Sequence, residues 1–509
     1  MAGLRKYSHK KSKTISWIAV GVSLLLGVIF FMMFNFVHVY TDELEYATCT
    51  SYGTVSHVCQ ICGKRVEDSE KLVPPRGHDF SEWKTVTAAE IKKAGEESRH
   101  CNDCNFEEKR EVVVDLGMPI IQISTDFDKL ESNWADAHMS FRFVDGENDL
   151  SYDGYISRQK TSAVNSQKYN YKITLGNSSD DLADLCGLGE SRYYSLVANY
   201  LDYTMLRNML SASLYNDIAN TYGEGEFNEH ILNLPNNCGI DSDPVMLYIN
   251  GEYKGIYSLC TYRYDKLYSF GDFIYSSMFY ASERTDSTCF KKENSAVYDY
   301  GWDIKYYNKA VNNPGSVVRD FNDLIKFVIH NDGEAFINGI DKYLDVDAAI
   351  DYLLNVYFMG ASENCDKGML WLTYDGKQWF CITFDVYVSF GLSPDGTKIV
   401  GADEFMPYID NNTQKIYSGT NMLLWDRLLN NFSDRIVARY QELREEVFTA
   451  DNVESILKEL STEINKDAYD VESEIWPDIP SIGITDVDQI IGYVEERVAL
   501  LDSFFNSIK

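Results

Sequence analysis

The first apolar pattern along the chain is continuous rather than periodic. From Thr14 to Tyr40 the sequence TISWIAVGVSLLLGVIFFMMFNFVHVY contains no Asp, Glu, Lys or Arg. Roughly 20 apolar residues cross a bilayer as a helix, and this run is longer. Arg5, Lys6, Lys10, Lys11 and Lys13 precede it, while Asp42, Glu43 and Glu45 follow. Such asymmetry predicts an N-terminus on the cytoplasmic side. A cleavable signal peptide has a shorter apolar core and a small-residue cleavage site, whereas this run ends in bulky residues. The pattern predicts a basic cytoplasmic tail over 1–13, a single-pass membrane anchor over 14–40, and an extracytoplasmic remainder.

Beyond residue 118 the apolar runs are short and of mixed period. PVMLYINGEYKGIYSL alternates around Asn250-Gly251, the preferred two-residue turn of a hairpin. SRYYSLVANYLDYTMLRNMLSASLYNDIANTYG has apolar residues at helical spacing and a stop at Gly223. From Met422 to Lys509 the pattern is largely helical, interrupted by WPDIPSIGITD. Segregated strands and helices predict an α+β domain over 118–509.

A second hairpin signal lies in DKGMLWLTYDGKQWFCITFD, at Asp375-Gly376. A two-residue loop pairs Tyr374 with Lys377, and the same register sets Asp366 opposite Asp385, with Cβ atoms about 4.5–5.5 Å apart. Two carboxylates at that separation repel, and one pKa rises. A divalent cation, or a cation with a substrate hydroxyl, relieves the repulsion. The alternative reading is that Asp366 caps a turn and Asp385 accepts backbone hydrogen bonds.

Between these regions, over 41–117, the pattern is polar and punctuated by cysteine. Cys49, Cys59, Cys62 and His78 are spaced C-x9-C-x2-C-x15-H. Tetrahedral zinc takes four N or S ligands, and a Cys-x-x-Cys knuckle supplies two of them from one turn, which Gly63 permits. The expectation is one structural Zn²⁺ on these four residues, with a disulfide as the alternative outside the cytoplasm. A second copy follows, with Cys101 and Cys104, but Ile91 replaces its first cysteine and Met118 its closing histidine. That pair reads as a disulfide or a weak site. The region resembles tandem Cys/His modules of extracellular proteins from Gram-positive bacteria, and it reads as a stalk.

The net charge of −32 argues against a nucleic-acid partner, since phosphate binding needs clustered Lys and Arg. No His-Glu-x-x-His or Gly-x-Ser-x-Gly motif occurs, and His138, His230 and His330 are isolated. Cys365 lacks a nearby histidine and reads as a buried small residue rather than a nucleophile.

From Met118 onward, six segments in order resemble the spore coat protein H (CotH) kinase-like family of atypical protein kinases. They are YISRQKTSAVNSQKYNYKITL, LVANYLDYTMLRNMLSASLYNDI, LYINGEYKGIYSL, GWDIKYY, NCDKGMLWLTYDG and FDVYVSFG, followed by closing helices. The resemblance implies a divergent kinase fold that uses ATP with Mg²⁺ or Mn²⁺ to phosphorylate Ser or Thr. Arg158 and Lys168 would contact the nucleotide, Asp366 would orient the attacking hydroxyl, and Asp385 would ligate the metal. Asn199, Asp202, Arg207 and Asn208 also match the family. Three positions depart from it: Tyr387 stands for a second acid, Thr261 for a glutamate, and Met369 near an expected asparagine. The sequence therefore carries two readings, a membrane-anchored kinase acting on a protein substrate and a catalytically silent relative that binds a cell-surface partner.

Overall fold

The computed structural model describes residues 9–36, 38–132, 136–146, 148–159, 167–222, 239–262, 267–297, 300–384 and 386–508. Gly223, His230, Cys238 and Asp385 lie outside the described residues. The chain forms two compact units, one made of Met1–Ala88 with Gly95–Val112 and the other of Ala89–Ala94 with Val113–Lys509.

The first unit begins with the helix His9–Phe36. Side chains are described for residues 17–33 of it, and all are exposed. Among the described residues no helix is long and apolar enough to cross a membrane. The end of the uncharged run is strand rather than helix. Tyr40–Glu45 pairs antiparallel with Gly53–Cys59, which pairs with Lys71–Val73. A second three-stranded sheet joins Lys84–Thr87, Gly95–His100 and Glu107–Val112. The residues buried in this unit are Ala47, Cys49, Gly53, Ser56, Cys59, Gly95 and Cys101. Among its described residues no large aliphatic or aromatic side chain is buried, so the unit lacks an apolar core.

The second unit has two lobes. Seven strands close a barrel in the order Tyr171–Leu175, Tyr193–Val197, Glu252–Thr261, Ser242–Ile249, Ile120–Thr125, Ala137–Asp145 and Asn148–Arg158. Period-two alternation carries Ile121, Ile123, Met139, Phe141 and Phe143 into one shared core with Ile173, Leu196, Val245 and Leu259. The Asn250-Gly251 hairpin forms as expected, with both residues at positive φ (52° and 77°), as a type I′ turn requires. The apolar stretch around Tyr193 departs from its helical reading. Tyr193–Val197 is a barrel strand between Tyr171–Leu175 and Glu252–Thr261, and the helix is confined to Arg207–Asn220. Tyr194 and Leu196 are fully buried in that strand, so cross-strand packing overrides local helical spacing.

The other lobe sets a four-stranded sheet, ordered Trp302–Tyr307, Ser277–Ala281, Leu370–Thr373, Phe380–Ile382, against helices. At its centre is Val346–Met359, buried on all faces from Ala348 to Met359 and capped by Asp345, whose carboxylate accepts from the Ala348 N–H at 3.0 Å. A helix apolar all round belongs inside a core. It ends at Gly360, φ +62°, where a Cβ would lie 2.0 Å from the Tyr493 hydroxyl. The C-terminal helices Leu423–Asn431, Ser433–Glu446, Ala450–Glu463, Lys466–Ile475 and Val487–Ser507 follow, with residues 476–486 irregular as the sequence predicts.

The second hairpin has a different register from the expected one. Its ladder pairs Leu370 with Ile382, Trp371 with Cys381 and Leu372 with Phe380, one residue away from the register of a two-residue turn. The Asp375 carboxylate accepts from the Lys377 and Gln378 N–H groups at 2.8 and 2.9 Å and from the Thr373 hydroxyl at 3.2 Å. It thereby organises a longer loop. A one-residue slip moves every side chain to the opposite face, and the ladder starts at Leu370, after Asp366. Asp366 therefore lies before this ladder, and its expected partner Asp385 lies outside the described residues.

Candidate functional site

Lys168 lies just before the barrel strand Tyr171–Leu175, with its side chain inside the lobe and 1 % exposed. Its Nζ is 2.7 Å from Glu472 Oε1 and donates to the Ile256 carbonyl at 2.6 Å, beneath the Tyr257 ring. Burial lowers the Lys168 pKa, and Glu472 works against that shift. Glu472 is also wholly buried. It comes from the helix Lys466–Ile475, whose inward face carries Ala468 and Glu472, four residues apart. Its second oxygen accepts the Ile256 N–H at 2.8 Å. Gly255 makes the approach possible: at φ +105° a Cβ there would sit 2.5 Å from Glu472 Oε2. Sequence reasoning missed Glu472, one of several acids in DAYDVESEIW, because the glycine that makes room for it lies far earlier in the chain.

Arg158, at the end of a neighbouring strand, pairs with Glu131 at 2.9 Å and covers the Tyr169 ring. Asp366 follows the short turn Ser362–Cys365 in the other lobe and is 2 % exposed. Arg284 Nε donates to it at 2.7 Å, and the Cys289 thiol approaches its other oxygen at 3.8 Å. Burial raises the Asp366 carboxyl above its ordinary pKa, and Arg284 opposes that rise. Cys365 is fully buried and its thiol is pushed well up by desolvation, the opposite of a reactive cysteine.

The Asn199–Asn208 segment is structural. Asp202 forms a buried ion pair with Arg207, whose guanidinium also donates to Ser389 O, Thr485 Oγ1 and Gln489 Oε1. Asn199 Nδ2 donates to Ser258 Oγ at 2.7 Å, and Asn208 Nδ2 donates to Asn199 Oδ1. This network ties the barrel, the segment before Gly391 and the last helix together.

Two lobes, a buried lysine–glutamate pair in one and a buried aspartate beside the sheet of the other are the outline of a protein kinase. The sequence profile of the CotH kinase protein family matches residues 158–501. The chain belongs to that family. No curated protein matches it. Within the CotH domain, the departures from the family pattern are now placed. Met369 is fully buried in the hydrophobic core and Thr261 is buried at a barrel strand's end, while Tyr387 is half-buried. Mg²⁺ and Mn²⁺ take oxygen ligands, chiefly carboxylates and carbonyls. A core thioether and a neutral phenol do not fit that requirement.

In the first unit the cysteines gather differently from their spacing within one module. Cys49 and His78 meet Cys101 and Cys104, while Cys59 and Cys62 meet His38, with ligand atoms within 4.8 Å of one another in each group. The strand Gly53–Cys59 explains the exchange. At about 3.3 Å per residue its seven residues span roughly 20 Å, which carries the knuckle away from Cys49. Described cysteines are all free thiols, so Cys101 and Cys104 form no disulfide. Cys49 Sγ is 3.7 Å from Cys101 Sγ, and Cys104 Sγ is 3.4 Å from His78 Nδ1. His38 Nδ1 is 3.4 Å from Cys59 Sγ and 3.3 Å from Cys62 Sγ. Burial acts to raise the Cys101 thiol, but hydrogen bonds from Asp103, His78 and Cys104 outweigh it and draw it down to about 6.

Proposed function

We propose that the chain is a membrane-anchored, extracytoplasmic kinase-like protein whose CotH domain works as a binding or scaffold surface for a cell-surface partner. The observation carrying this reading is the fate of the metal positions: Met369 is in the core and Tyr387 replaces an acid. Without those oxygen ligands the charge of transferring phosphate is poorly neutralised. The uncharged run from Thr14 to Tyr40, its basic and acidic flanks and the exposed apolar side chains of residues 17–33 support the anchor and its orientation.

A second reading is ATP- and Mg²⁺- or Mn²⁺-dependent phosphoryl transfer to Ser or Thr of a protein substrate. It is favoured by the buried Lys168–Glu472 pair, the counterpart of the kinase lysine–glutamate pair. Lys168 and Arg158 would then serve the nucleotide, Asp366 the hydroxyl and Asp385 the metal.

Thermal-shift titration of the full chain with ATP and Mg²⁺ or Mn²⁺ separates the two. Binding to the native state stabilises it in proportion to ln(1 + [L]/Kd). The scaffold reading expects no shift. A saturable shift that Asp385→Asn abolishes would overturn it in favour of catalysis.

A further inference from the structure

We propose that the cysteine-rich unit holds two zinc ions of unequal kind, each shared between consecutive stretches of chain rather than contained in one module. The closed site is Cys49, His78, Cys101 and Cys104, and the open one is His38, Cys59 and Cys62 with its fourth position left to water.

Geometry is the first support. With metal–sulfur bonds of about 2.3 Å and metal–nitrogen bonds of about 2.0 Å at tetrahedral angles, neighbouring ligand atoms stand roughly 3.5–3.8 Å apart. The separation of 3.7 Å between Cys49 and Cys101 and of 3.4 Å between Cys104 and His78 are such edges. A disulfide needs about 2.05 Å between sulfurs. The His38 contacts at 3.4 and 3.3 Å repeat the pattern. The knuckle is shaped for it: Gly63, φ +69°, donates its N–H to the Cys59 carbonyl, and the Ile61 N–H approaches Cys59 Sγ at 3.4 Å.

The unit's composition is the second support. Cysteines are prominent among its few buried residues, and among the described residues no large apolar side chain joins them. Small sheets without a core need a staple, and structural zinc contributes folding free energy directly.

Ligand order is the third. In both groups a histidine is followed, 21 or 23 positions on, by a Cys-x-x-Cys knuckle: His38 by Cys59 and Cys62, His78 by Cys101 and Cys104. A cysteine from the stretch before the histidine completes the second group. Residues 1–37 contain no cysteine, and among the described residues the first group has three ligands. The same rule accounts for Ile91 and Met118. No Cys-x-x-Cys follows residue 104, so these positions have no knuckle to meet. Instead both pack in the apolar cluster of Met205, Met246 and Tyr248.

The test is metal analysis of the purified full chain, loaded with Zn²⁺ and then with Co²⁺, on the wild type and three variants. Two ions per chain are expected, one of them released first by a chelator. Cys49→Ser and Cys101→Ser each remove the slowly released ion and spare the other, whereas Cys59→Ser removes the fast one. X-ray absorption of the wild-type zinc form, which needs no variant to fold, should give five sulfur ligands shared between two ions. One ion bound by three sulfurs, or loss of the same ion in Cys49→Ser and Cys59→Ser, would restore the single-module set and overturn the proposal. A metal-free chain with Cys59 and Cys62 oxidised to a disulfide would overturn it as well.

Discussion

Replacing Lys168 by methionine removes one half of an ion pair in which neither partner is more than 1 % exposed. Glu472 would keep only the Ile256 N–H at 2.8 Å, with its charge otherwise uncompensated. Breaking such a pair costs about 3–5 kcal/mol, because a lone charge remains in low dielectric. That is a large part of the 5–15 kcal/mol that holds typical domains together. Glu472→Leu should cost a comparable amount by stranding the lysine. The double variant Lys168→Met/Glu472→Leu should recover most of the loss, since apolar replacement of a whole buried pair is often neutral. Urea unfolding reads this out. With a slope of about 3 kcal/mol/M, each single change lowers the midpoint by about 1 M or more, and because the double is close to neutral, the double-mutant cycle should give a coupling of about 5 kcal/mol or more. Singles costing under about 1 kcal/mol, or a double equal to their sum, would refute the reasoning and mean that water reaches the pair.

Burial, with Glu463, Asp241 and Asp145 nearby, pushes the Asp243 carboxyl up to about 7. Its folded pKa exceeds the unfolded value of about 3.9, so its contribution is fully present below about pH 4 and is lost as pH rises to 7; Asp243→Asn should remove that loss in urea titrations at pH 5 and 7.5, and an unchanged or steeper loss would contradict the assignment. Gly360→Ala should cost about 2–4 kcal/mol, combining the left-handed backbone penalty with the clash against Tyr493, whereas Gly483→Ala, φ +77° in open space, should cost about 1 kcal/mol; equal losses on denaturation would show that the clash relaxes freely.

Local signals in the sequence read correctly wherever the local chain decides the outcome. The Asn250-Gly251 turn needs positive φ at both residues, and the last three helices have caps of their own at Thr449, Asn465 and Asp486. The stretch at Tyr193–Val197 does not read correctly, because its apolar spacing suits either structure and the barrel partners decide. Asp375 marks a turn, but its three accepted hydrogen bonds build a longer loop than the dipeptide implies, and the ladder that follows is one residue out of the expected register. Similarity between the two cysteine modules reveals the ligand types without revealing which module lends them to which, since that depends on the length of an intervening strand. Glu472 was illegible for a related reason: nothing in its own segment distinguishes it from its acidic neighbours, and its role is set by a glycine far away in the chain.

That distance bears on how the protein is made. At synthesis rates of about 5–20 residues per second, Lys168 leaves the ribosome roughly 15–60 s before Glu472 does. Until the helix Lys466–Ile475 arrives, the amine has no carboxylate to meet, and sealing the lobe around it would bury a bare cation. The nascent barrel then stays half-open, with its strands available to chaperones. A message cut short before codon 472 would yield a chain that can never finish its first lobe.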